Sequence, residues 1–160
     1  MSPNAASQAD PSRVVDVFAA GWREPHPHAW DDLFAAEVEL AQPLLRSGRG
    51  IALWQTELAR LLAFLPDLTG HVLSWAHGQG VVFIEIELTG TVASTPLSLK
   101  AVDRLELNPE GLVVRRASFF DPLPVALSLL GRPRAWLTWW RSGVGPLLAR
   151  RRFLPTKEVR

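Results

Sequence analysis

The chain has 160 residues, enough for one domain of ordinary size and too few for a second substantial core. Apolar residues are 48% and charged residues 21%, which excludes disorder as the main state; the absence of cysteine and tyrosine excludes a disulfide framework, a thiolate site, a cysteine nucleophile and any phenol acid or base. The formal net charge of +1 conceals two opposites: residues 1–131 carry nine basic and fifteen acidic side chains, net −6, and residues 132–160 carry eight basic and one acidic, net +7.

Residues 1–9 are small and polar and read as a disordered leader without the apolar core of a signal peptide. Asp10-Pro11 then forms a helix start, a carboxylate cap followed by proline in the first turn. Val14, Val15, Phe18 and Trp22 follow at helical spacing. A short second helix is expected over 29–36 and a short strand over 38–40. Residues 51–65 make the best helix, with Ile51, Trp54, Leu58, Leu61, Leu62 and Leu65 in one stripe and Pro66 as its stop. From residue 70 the apolar period changes to two. Strands are expected over 72–77, 81–89, 97–107 and 112–120, with Asn108-Pro109-Glu110-Gly111 as the last tight turn. Helices followed by hairpin-connected strands define an α+β domain over 10–122, and 123–160 form a basic, tryptophan-rich helical extension.

Asp103 breaks its own pattern, because it sits among Leu97, Leu99, Ala101, Leu105 and Leu107 on an apolar strand face. A carboxylate facing a core needs a partner. It is either a functional group in an apolar pocket or half of a structural ion pair. A plain reversal at 108–111 sets Asp103 opposite Arg116; a bulge at Gly111 sets it opposite residue 117 and turns Arg116 outward. The residues alone leave this register open.

Over about residues 12–122 the chain resembles the nuclear-transport-factor-2-like superfamily in its SnoaL-like branch. The resemblance is carried by the 29–40 segment AWDDLFAAEVEL, by Leu88-Thr89-Gly90-Thr91, and by the 101–107 segment AVDRLEL with Gly111 and Phe119-Phe120-Asp121. It implies a cone-shaped (cystatin-like) fold: about three helices on a curved antiparallel sheet, an apolar pocket inside, and a homodimer across the outer sheet face. It also implies that residues 116, 118 and 120 point inward, so that Arg116 meets Asp103. Asp103 matches the oxyanion-hole aspartate of ketosteroid isomerases. Their general base falls near Gln42, which cannot take a proton, and their oxyanion tyrosine has no counterpart here. The limonene epoxide hydrolase set falls on Ile86, Leu88 and Ser118 and is missing as well. Asp121 matches the aspartate that closes the last strand in polyketide cyclases.

The resemblance thus implies a hydrophobic small molecule as partner, in a pocket lined by Trp30, Gln42, Ile84, Ile86, Leu88, Leu99, Ala101, Leu105, Ser118 and Phe120. Asp103, Arg116 and Asp121 are the candidate catalytic residues, for cofactor-free acid–base chemistry of an isomerase, cyclase or hydrolase on a cyclic substrate. The competing expectation is a non-catalytic binding or dimerisation module. No cofactor, metal or nucleic acid is expected, since His26, His28, Asp31 and Asp32 fit no single-face metal geometry. Trp136, Trp139 and Trp140 share a helical face beside arginines. Such a stretch suits a membrane surface, the closing of the pocket mouth, or a dimer contact. A cytoplasmic protein, with membrane contact through 132–160, is the expected setting.

Overall fold

The computed structural model describes residues 10–43, 45–130 and 132–144. The expected leader and the Arg150-Arg151-Arg152 run lie outside the described residues. The elements in order are α1 (Pro11–Arg23), β1 (Phe34–Ala41), β2 (Gly48–Arg49), α2 (Ile51–Phe64), β3 (Thr69–Gly78), β4 (Val81–Val92), β5 (Thr95–Leu107), β6 (Val113–Phe120), α3 (Leu123–Leu130) and α4 (Pro133–Ser142).

The cap expected at Asp10 forms, its carboxylate accepting from the Ser12 N–H at 3.0 Å, with Pro11 in the first turn. Val14, Val15, Phe18 and Trp22 then bury one helical face. The helix expected over 29–36 is replaced by turns. Hydrogen bonds donated by the Ala29, Asp31 and Leu33 N–H groups to the His26, His28 and Trp30 carbonyls span three residues each, and Phe34 already belongs to β1. These turns drive Trp30 into an aromatic cluster with Phe18, Trp22 and Trp54, in tilted and edge-on contacts with centroids 5.1–6.4 Å apart. Gly21 permits this, since a Cβ there would come within 2.4 Å of the Trp30 ring.

The sheet is six-stranded, curved and open, in the order β2-β1-β6-β5-β4-β3. It is mixed rather than antiparallel, because β1 runs parallel to β6. The turns 79–80 and 93–94 have positive φ at both residues, which matches the right-handed twist of the hairpins they join. The α+β class therefore holds, with α1 packed against β3 and α2 against β1.

The β5–β6 register is neither of the two expected. Asp103 lies opposite Ser118, and Leu105 opposite Arg116. The turn takes in Leu112, whose N–H donates to Asn108 Oδ1 at 2.8 Å, and the ladder shifts once more between Glu106 and Leu107. Two added residues displace the pairing by two, which keeps Arg116 on the inner face with Asp103, now diagonally across the strands.

Candidate functional site

Arg116 is the centre of the site. It projects from β6 into the interior with only 4% of its surface exposed. Three neighbours hold the guanidinium. Nη2 lies 2.9 Å from Asp103 Oδ1, Nη1 donates to Gln42 Oε1 at 2.9 Å, and the Trp54 ring lies 4.6 Å from Cζ. β5 supplies the aspartate, α2 supplies the indole, and the end of β1 supplies Gln42, because Leu40 and Ala41 pair with Arg116 and Ala117. Among the described residues Arg116 Nε has no hydrogen-bond partner. The Asp103–Arg116 contact is charge against charge, without hydrogen-bond geometry at Oδ1.

Beside Arg116 lies a cavity of about 70 Å³. Of the residues expected to line it, Gln42, Leu88, Leu99, Ser118 and Phe120 do so, together with Arg116. Trp30, Ile84, Ile86, Ala101 and Leu105 do not; they are packed in the core beneath, each at most 3% exposed. Asp103, at 1% exposed, also stands outside the wall and reaches the cavity only through Arg116. Asp121 is exposed and is not part of the wall, and its Oδ1 accepts from the Leu123 N–H at 2.9 Å as a cap for α3. The position at the end of the last strand is therefore taken up by helix capping, not by the pocket.

Sequence reasoning missed part of the wall. Trp22, Trp54, Leu61 and Leu65 read as core because their helical stripes point inward, and all four line the cavity. Val125, Trp139 and Val144 roof the cavity from the extension, so one of the three fates open to the 136–140 tryptophans is realised by Trp139 alone. Glu57 was missed outright. It is fully buried on the α2 stripe, three residues after Trp54, and accepts from the Arg46 N–H at 2.9 Å and from Arg60 Nη1 at 2.7 Å. These bonds pin the chain that leads from Gln42 back to β2.

His28 Nδ1 and Gln55 Nε2 each lie 2.8 Å from the Asp31 carboxylate, tying the 27–33 turns to α2. The Gln55 hydrogen bond, then His28, holds the Asp31 carboxyl below the ordinary 3.8. The described residues contain no cluster of three or more metal-ligating side chains and no helix long and apolar enough to cross a membrane.

No family model and no curated protein matches the chain. Solved structures do. A protein from Jannaschia sp. CCS1, proposed to be a SnoaL-like polyketide cyclase, superposes with a TM-score of 0.68 over 83% of this chain and 100% of that one, at 18% identity. The chain has the SnoaL-like, ketosteroid-isomerase-like fold. A loop-truncation variant of IdmH gives 0.66 at 16% identity, over 75% of this chain and 99% of that one. TerC, crystallised with polyporic acid, gives 0.65 at 17% identity, over 72% and 95%. In this chain the fold holds a pocket whose charged side chain, among the described residues, is Arg116.

Proposed function

We propose that the protein is a cofactor-independent small-molecule enzyme of the SnoaL-like kind, and that Arg116 is the group its substrate meets. The observation that carries this is a buried, cavity-lining guanidinium whose Nε–H has no hydrogen-bond partner among the described residues. Two further wall residues, Trp22 and Trp54, also have indole N–H groups without a partner among the described residues. The wall is mostly apolar, with Gln42, Thr89, Arg116 and Ser118 as its polar residues, which suits an apolar ring compound bearing an acceptor oxygen. An arginine fixed in a water-poor site stabilises negative charge as it develops on that oxygen. This favours chemistry in which negative charge gathers on a carbonyl oxygen of the substrate, as it does in enolisation. Asp103 is a positioning residue in this scheme, holding Arg116 in place rather than meeting the substrate.

The cavity of about 70 Å³ is smaller than the roughly 150 Å³ that accommodates a benzene. A ring substrate therefore requires the roof of Trp139 and Val144 to shift. A homodimer would use the outer sheet face, where Val102 pairs with Phe119 and Phe83 lies two strands from it, all at least 40% exposed.

Deuterium exchange next to the carbonyl of a panel of cyclic aromatic ketones tests the proposal whatever product the enzyme forms. The wild type should catalyse exchange in at least one bound ketone, and Arg116→Met should slow it by about a hundredfold or more. A ketone that binds in the pocket yet exchanges at the solvent rate would establish the second reading, a binding module. That reading is favoured by the described wall, which contains no carboxylate or imidazole.

A further inference from the structure

The α3–α4 hairpin has two dissimilar faces. Inward, Ala135 is buried and Trp139 closes the cavity. Outward, Trp136, Leu137 and Trp140 are 44%, 56% and 52% exposed. At about 100° per residue these three positions fall within one arc of roughly 100°, and exposed Arg141 flanks it. Leu123 and Leu127, one turn apart on α3, add further open apolar surface. The Trp136 N–H is already satisfied, donating to the Leu129 carbonyl at 2.6 Å, so this indole is fixed between the two helices.

We propose that this outward face docks on the surface of an anionic lipid bilayer. The charge distribution selects that occupant. The hairpin carries Arg132, Arg134 and Arg141 and no acidic side chain over its described residues, while residues 1–131 carry net −6, so an anionic surface attracts the hairpin and repels the body, which fixes the orientation. Exposed tryptophans beside arginines are the side chains that settle at the boundary between headgroups and acyl chains. A second copy is a poorer occupant of the same face, because two such hairpins would set three arginines against three with no acidic side chain between them. The docked orientation sets the roof of the cavity against the lipid, on the side from which an apolar compound would arrive.

Flotation of the full chain with vesicles tests this directly. The protein should rise with vesicles of phosphatidylcholine mixed with phosphatidylglycerol and stay in the dense layer with phosphatidylcholine alone. Leu137→Glu/Trp140→Glu should cut the bound fraction at least about tenfold. Arg150→Gln/Arg151→Gln/Arg152→Gln changes no residue of the described fold and should weaken binding by about fivefold per charge lost. Circular dichroism confirms that each variant is folded. A wild type that does not rise with the anionic vesicles overturns the proposal, as does a folded Leu137→Glu/Trp140→Glu variant that rises unchanged. Wild-type dimers that fail to float and are dissolved by the same pair of substitutions would assign the face to a second copy instead.

Discussion

Replacing Asp103 by asparagine removes one charge from the interior while leaving its shape nearly intact. Arg116 then keeps only neutral partners, the Gln42 oxygen at 2.9 Å and the Trp54 ring at 4.6 Å. Two unit charges about 4 Å apart interact by roughly 4 kcal/mol at an effective dielectric of about 20. A neutral amide can turn its carbonyl to accept a hydrogen bond from the guanidinium, recovering about 1 kcal/mol of that. The expected loss is therefore about 3 kcal/mol, in line with the cost of breaking buried pairs from one side. In urea, followed by fluorescence of the seven tryptophans, this moves the midpoint down by about 1–2 M. By heat it lowers Tm by about 6–12 °C. The double variant Asp103→Leu/Arg116→Met removes both charges and should be more stable than Asp103→Asn, by about 2 kcal/mol. A midpoint for Asp103→Asn within about 0.3 M of wild type would refute the reasoning, because the guanidinium would then not depend on that carboxylate.

Gly21→Ala places a methyl group 2.4 Å from the Trp30 ring and should destabilise by about 1–3 kcal/mol, read by thermal denaturation. Asp31 and Glu106 are held below their ordinary values of 3.8 and 4.5, by the Gln55 hydrogen bond and by Arg104 respectively. The unfolded chain binds protons at these groups first. Stability should consequently be flat above pH about 5 and fall as pH drops through that range, and Gln55→Ala should reduce the Asp31 part of the loss. Trp139→Ala removes part of the cavity roof and should speed uptake of an environment-sensitive apolar dye, measured by stopped flow, while Trp140→Ala, on the outer face, should not.

The fold was legible where a residue's chemistry acts locally. Asp10 and Pro11 start a helix by capping, the 51–65 stripe buries one face, and the period-two strands emerge within a few residues of their expected ends. Residues 29–36 misled because Trp30, Leu33 and Phe34 have helical spacing, while their burial comes from a turn held against Gly21 and α2. The parallel pairing of β1 with β6 joins segments more than seventy-five residues apart and leaves no local mark. Within the site, Asp103 announced itself as a carboxylate on an apolar face, and the β5–β6 displacement by two preserved the side on which Arg116 falls. Which of them meets the cavity depends on depth. Depth is set by α2 laying Trp54 over the guanidinium, and no strand pattern encodes that. Glu57 stayed hidden because its partners, the Arg46 amide and Arg60, assemble only when the chain between β1 and β2 folds onto α2.

Native mass spectrometry of freshly purified wild type and Arg116→Met, with extraction and identification of whatever either carries, bears most directly on the role of the buried arginine. Wild type should carry an apolar compound with a carbonyl or carboxylate oxygen, or take one up from a panel of aromatic ketones and acids, and Arg116→Met should lose it by at least about tenfold in affinity. A ligand without an acceptor oxygen, or one retained equally by a folded Arg116→Met variant, would contradict the account.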